Sequence, residues 1–497
     1  MNTLGIDLGT SEVKVLLLAA NGSVLAKTGS KLRWSQPHPG WAEQNPQEWW
    51  IATVAACKKI RELNSLAYAE VAAIGLSGHM HGATVLDKHH NVLRPCILWN
   101  DSRSTEQCQQ LTKQSSAFHD IGGNLVMPGF TAPKLLWIRD NEPELFRRIA
   151  KVLLPKDYLR YLLTGTFVSE MSDAAGTLWL DVARREWSDT LLNATGLSRE
   201  HMPRLVEGTD GSGGLAPLAA RELRLTVGIS VAGGAGDNAA SAVGLGAVHP
   251  GDSFISLGTS GVLFTVTDQH RPNVQETVHA FCHALPGVWH QMTVMLSAAS
   301  TLQWVTGIAG EADETALLNR VDQLHLSERA SAPIFLPYLS GERTPHNDAN
   351  ASGAFVGLRH GHNAAHMAYS VIDGVSLGMR DGLDAIRRAG SHVTSLQLVG
   401  GGSRSPLWAQ LLADSLELEI TVGQDSGVGA AIGAARLAQL SQTPCVTADI
   451  NRVCSRPIVL RRYIPDDKGV HLARRRQSIY RSSYQALRGV YAQAAHS

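Results

Sequence analysis

Short apolar runs that end in glycine-rich turns alternate along the chain with longer stretches of helical periodicity. The first run, Gly5-Ile6-Asp7-Leu8-Gly9-Thr10-Ser11 followed by Val13–Ala19, predicts a strand, a tight turn and a second strand. Gly9 permits the bend. Asn45 as N-cap and Pro46 as first helical residue then open a helix, on which Trp49, Val54 and Ile60 recur at helical spacing. Val71–Leu76 predicts a buried strand, and strand–helix–strand is the crossover unit of a layered α/β fold. Further strands are predicted at 228–232 and 396–399, each running into clustered glycines.

The first turn has an echo. Aligning Ile6–Val13 with Ile255–Val262 gives six identities in eight positions at a spacing of 249, about half the chain. A repeat at half length predicts two similarly built domains, and the Gly/Pro-rich stretch 244–251 divides them into residues 1–246 and 247–497. Thr10, Ser11 and Thr259 offer hydroxyls and main-chain N–H groups to an anion. Asp7 is suited to a hydrated Mg²⁺ ion; Ser256 replaces it in the second copy. One acidic and one neutral turn make an asymmetric clamp for a nucleotide's phosphates and metal.

Three more turns carry candidate chemistry. In Gly233-Gly234-Ala235-Gly236-Asp237-Asn238-Ala239, Gly234-x-Gly236-x-x-Ala239 fits a dinucleotide fingerprint, but Asp237 would repel a pyrophosphate at the helix start. The better reading is an acid presented at a helix N-terminus, kept ionised by the helix dipole and ready to accept a proton. Met80-His81-Gly82 follows a strand end, where ligands bind in open α/β sheets. Gly400–Ser403 ends another strand; Gly401, Gly402 and Ser403 would let a base or ribose approach the backbone closely. The small-residue helix from Gly427 to Ala435 is expected beside that turn.

Composition narrows the classes. With 44 basic and 44 acidic residues in 497, no global field recruits nucleic acid or membrane. No run of 18 apolar residues exists, and Asp7 and Glu12 interrupt any signal-peptide core. The six cysteines show no paired or zinc spacing and suit a reducing cytoplasm. His79-x-His81 and His279-x₃-His283 lack an acidic third ligand nearby, so no structural metal is expected. Residues 452–497 hold ten basic and two acidic side chains. Tyr480, Tyr484 and Tyr491, four and seven apart, predict that this tail docks as a helix rather than binding nucleic acid.

These motifs, in this order and over essentially the whole chain, resemble those of the FGGY carbohydrate kinases of the actin-like ATPase superfamily. Segment 123–137, with Thr131, Lys134 and Trp137 at the family's spacing, resembles the first family signature; Gly353–Asp373 resembles the second. Met80-His81-Gly82, segment 123–137 and Phe335–Pro345 resemble the xylulokinase branch, although many relatives carry Gln at His79. The resemblance implies an α/β fold of two actin-like (ribonuclease H-like) domains around a central cleft, the first holding sugar and the second ATP. It implies ATP- and Mg²⁺-dependent phosphorylation of D-xylulose at its 5-hydroxyl. Asp237 would be the base, Met80, His81 and Asn238 the sugar contacts, and Gln303 a nucleotide contact. Lys134 would pair locally rather than with phosphate. Ribulose or glycerol as substrate, and a non-catalytic nucleotide switch, are the alternatives; a homodimer stays open.

Overall fold

Two mixed sheets of matching strand order carry the chain. In the computed structural model, which describes residues 1–424 and 429–494, the first sheet is built on the hairpin Asn2–Leu8 and Glu12–Leu18. Val24–Lys31 extends it on one side; Val71–Gly78 and Ser230–Ala232 run parallel to Asn2–Leu8 on the other, and Gly211–Gly214 closes that edge antiparallel. The second sheet repeats the plan. Its hairpin is Ser253–Leu257 and Gly261–Thr267, extended by Trp289–Met295 and His279–Cys282 on one side. Ser395–Val399 and Glu419–Gly423 run parallel on the other, edged by antiparallel Val459–Tyr463. The repeat in sequence is therefore a repeat in topology.

The two turns differ by one residue. Leu8 pairs with Val13, and Gly9 N–H donates to Glu12 O at 3.1 Å; Leu257 pairs with Gly261, and Gly258 N–H donates to Ser260 O at 3.0 Å. The gapless alignment holds up to the turn. Beyond it, Gly261 rather than Val262 occupies the place of Val13, because the second turn is one residue shorter, and such a shift exchanges the two faces of a strand.

Helix Pro46–Leu63 starts where the Asn45–Pro46 signal predicts: Asn45 Oδ1 accepts the Gln47 N–H at 3.1 Å. Its buried stripe of Trp49, Ala52, Ala56 and Ile60 covers one face of the first sheet. The opposite face carries a surprise of connectivity. Helix Gly429–Leu440, expected beside the 400–403 turn, packs instead on Asn2–Leu8 and Val71–Gly78 of the first sheet, against helix Asp237–Leu245. Glycine is what admits it: a Cβ on Gly75 would lie 1.8 Å from Ala434 O, and one on Gly5 2.0 Å from Ala431 O. This helix returns to the first sheet after most of the second is built. Gly427 and Val428, read as its start, lie outside the described residues.

The C-terminal helix Asp467–Ala494 docks through the predicted stripe. Tyr480, Tyr484 and Tyr491 are buried, and Tyr480 and Tyr338 share a hydrogen bond of 2.8 Å between their hydroxyls. A buried pair, Arg476 to Asp373 at 2.7 Å, fastens the same helix to Ala364–Arg388. Among the described residues no helix is long and apolar enough to cross a membrane.

Candidate active site

Three neighbouring strand ends of the first sheet bring the candidate residues together. Asp7 is in register with Ser77, Ser77 with Ala235, and Gly78 with Gly236. The chain leaves these strands as the Gly9–Ser11 turn, as His79-Met80-His81, and as Asp237 at the start of its helix. This is the carboxyl edge at which open α/β sheets bind ligands. Asp237 Oδ1 accepts hydrogen bonds from the main-chain N–H (2.8 Å) and the side-chain amide (3.0 Å) of Asn238. Asn238, expected to touch sugar, thus spends an amide hydrogen on orienting the acid.

The electrostatics depart from the expectation of a carboxylate kept ionised by its helix. Burial, and then the Asp7 carboxylate, push Asp237 up to about 7, against the Asn238 hydrogen bonds. Desolvation and a like charge outweigh a helix-terminus contribution of about 0.3–1 kcal/mol. Asp7 is itself raised by burial, with Lys14 opposing. The outcome suits proton transfer better than the expectation did, since a base acts best with a pKa near the working pH.

His81 stands at φ 71° on the sugar turn, and its Nδ1 donates to Gly176 O at 2.7 Å. A carbonyl only accepts, so Nδ1 carries the proton and Nε2 presents a lone pair. Burial, and then Lys134, lower its pKa to about 3, so the ring stays neutral. Lys134 is buried and donates to the carbonyls of His81 and Gly129, holding the turn from behind, as its local-pairing reading expects. Met80 is buried across Gly236 and Gly176, where a Cβ on either glycine would meet it within 3 Å. His79 turns inward, edge-on to Trp49 at 5.9 Å, so its backbone rather than its ring shapes the pocket.

A buried charged layer sits beneath the Asp237 turn. Lys156 and Arg160 face Asp157, Glu170 and Asp173, all fully buried. Arg160 clamps the carbonyls of Ala232 (3.0 Å) and Gly233 (2.5 Å), and Ser172 Oγ accepts the Gly236 N–H at 3.1 Å. Both flanks of the Gly233–Asp237 turn are thereby fixed. Burial raises Asp173 well above the ordinary carboxylate value, with Lys156 opposing and Asp157 and Glu170 adding to the rise. The available signal was Lys156, Asp157 and Arg160 on an otherwise apolar helix, where charges are costly unless paired.

The second sheet presents its own edge. Thr10 Oγ1 accepts from Trp99 Nε1 at 3.0 Å; Ser11, Thr259 and Gln303 are exposed. The Thr259 turn is tied to helix Ala299–Ala309, Thr259 O accepting from Ala298 N–H (2.9 Å) and Ser300 Oγ (2.8 Å). Gly400 and Gly402 pass directly over Leu257, the residue before that turn. Beside them opens a cleft of about 660 Å³ lined by Gly401, Gly402, Pro406, Ala299 and Leu302, with Glu314, Leu318 and Asn319 as its far wall. Ser403 does not line it: its hydroxyl turns inward to Gly400 O at 2.7 Å. Gln303 lies off its lining as well, on the exposed side of the same helix. The far wall carried no glycine or motif to mark it in advance.

Residues 2–244 match the N-terminal domain, and residues 253–441 the C-terminal domain, of the FGGY family of carbohydrate kinases. The chain belongs to that family and is a carbohydrate kinase. Among its relatives, the xylulose kinase of Escherichia coli K12 is 47% identical over 485 residues, 97% of this chain and 99% of that protein. The xylulose kinase of Bacillus subtilis is 37% identical over 88% of this chain and 87% of its own. The crystal structure of a xyloylose kinase from Brucella ovis, 46% identical, superposes with a TM-score of 0.95 over 99% of this chain and all of that one.

Proposed function

We propose that the protein transfers the γ-phosphoryl group of ATP to the terminal 5-hydroxyl of D-xylulose, giving D-xylulose 5-phosphate and ADP. The observation that carries the reading is the placement of Asp237 and Asp7 at neighbouring strand ends of one sheet, with the Met80–His81 turn leaving the strand between them. The near-full-length likeness to xylulose kinases supports the choice of ketose.

In this mechanism the sugar lies against Met80, with His81 Nε2 accepting from one of its hydroxyls and Asn238 offering its free amide oxygen. Asp237 takes the proton of the 5-hydroxyl as the new O–P bond forms, and ADP leaves as the old one breaks. The adenosine would occupy the Gly401–Gly402 cleft, and the turns at Thr10, Ser11 and Thr259 would hold phosphate oxygens through N–H and hydroxyl groups. The site fits a hydrated Mg²⁺: Asp7 and Asp237 crowd negative charge, and among the described residues no cluster of three acidic, His or Cys ligands exists. Asp7 would hold the ion through water, and the ion would neutralise charge on the transferring phosphates.

The test is sugar-dependent ADP release. D-Xylulose should be preferred over D-ribulose, L-ribulose and glycerol, with a single inverted hydroxyl costing about 1–3 kcal/mol. Preference for ribulose or glycerol would overturn the substrate. No release with any sugar, from folded protein that binds ATP, would overturn the kinase reading in favour of a nucleotide switch.

A further inference from the structure

One imidazole in the wall between the two halves has no task in the reaction above. His279 opens strand His279–Cys282, the outer strand of the second sheet, yet this strand is sunk in the core of the first half. Phe281 and Cys282 pack there with Phe130 and Met171, and Cys282 Sγ reaches Val182 O at 3.5 Å. His279 is only 4% exposed. Its Nδ1 lies 3.1 Å from Asn124 Oδ1, an oxygen that also accepts the Ala280 N–H at 3.2 Å. Asn124 Nδ2 meanwhile donates to the carbonyls of Gly122 and Ala280, both at 2.9 Å. That pattern fixes the amide's orientation, so His279 Nδ1 must be the donor.

Nε2 is left with a lone pair and no protein partner among the described residues, and it is not sealed from solvent as both nitrogens of His79 and His290 are. The ring stacks on Phe281 at 5.5 Å and meets Phe130 edge-on at 5.8 Å. His81 meets the same Phe130 edge-on at 4.7 Å. Two neutral imidazoles from opposite halves of the chain therefore flank one aromatic pair, each with Nδ1–H tied down and Nε2 free. Burial, and then the Arg343 guanidinium and His81, hold His279 well below the usual range, so it stays an acceptor across the working pH. An acceptor that solvent can reach but no protein group satisfies is open to a ligand hydroxyl.

We infer that His279 is a substrate-contacting residue that sets sugar specificity: its Nε2 accepts a hydrogen bond from a sugar hydroxyl other than the one held by His81. The acceptor sugar is then gripped from both halves, and only a sugar with correctly placed hydroxyls satisfies both rings. The inference rests on the ketose reading of the site. His279→Asn keeps an N–H for Asn124 and deletes Nε2; His279→Phe keeps the ring packing and deletes both nitrogens. For wild type and both variants, kcat/KM is measured with D-xylulose and its 1-deoxy, 3-deoxy and 4-deoxy analogues. In wild type, loss of one particular hydroxyl should cost about tenfold or more. In the variants the same loss should cost less than about twofold, while KM for ATP stays unchanged. Equal penalties in all three proteins would overturn the inference, because a purely structural role lowers activity without coupling to one hydroxyl. Should the Asn variant be insoluble, the Phe variant makes the same comparison. A wild type inactive on every sugar would instead fail at the proposed function, and the inference would fall with it.

Discussion

Asp237→Asn is expected to lower sugar phosphorylation by about 10²–10⁴-fold, the usual loss when a general base is removed. Asparagine keeps the size of the side chain and an oxygen for the Asn238 hydrogen bonds, so the turn clamped by Arg160 and Ser172 keeps its shape. Nucleotide affinity should stay within a few-fold, since the Gly401–Gly402 cleft proposed for adenosine and the Thr259 turn lie on the other sheet. Thermal stability should be unchanged or slightly raised, because the substitution removes a buried charge beside Asp7. Steady-state turnover, ATP titration and a melting curve check the three parts. Turnover near the wild-type rate would show that another group takes the proton.

Gly75→Val should be among the most destabilising single changes in the molecule. The added Cβ would begin 1.8 Å from Ala434 O and 2.6 Å from its carbonyl carbon. Backbone atoms of a packed helix cannot give way as a flexible side-chain end does, so Gly429–Leu440 must lift from the sheet. A cost of about 4 kcal/mol or more is expected, with Tm falling by about 8 °C or the protein becoming insoluble. Gly489→Ala is the control: it sits in the C-terminal helix with nothing within 4 Å of an added Cβ, and should be neutral or stabilising by up to about 1 kcal/mol. Similar melting curves for the two variants would show that the helix does not depend on this close approach.

What was legible in the sequence was local. The glycine turns, the Asn45–Pro46 helix start and the tyrosine stripe depend on neighbours a few residues away, and each stands where its pattern predicts. The repeat at 249 revealed the duplicated hairpin, though an alignment of letters could not show that the second turn is one residue tighter. Long-range returns were illegible. Nothing in small-residue periodicity says which sheet a helix covers, so the Gly427–Ala435 pattern points only to the nearer turn in sequence. The same holds for the charges: Lys156, Arg160, Glu170 and Asp173 act on the Gly233–Asp237 turn across dozens of residues. Asp237 shows the balance well. Its place at a helix start was readable, whereas its raised pKa needed the burial and the facing Asp7 that only folding supplies.

In the proposed mechanism Asp237, held near neutrality by burial and by Asp7, takes the sugar's proton. The pH dependence of kcat/KM for D-xylulose tests it most directly, since only the ionised carboxylate accepts a proton and a raised pKa moves its loss toward neutral pH. The rate should be level above about pH 8, turn down with a midpoint near 7, and fall about tenfold per pH unit below 6.5. A profile flat from pH 8.5 down to 5.5, with a midpoint in the ordinary carboxylate range near 4, would contradict it.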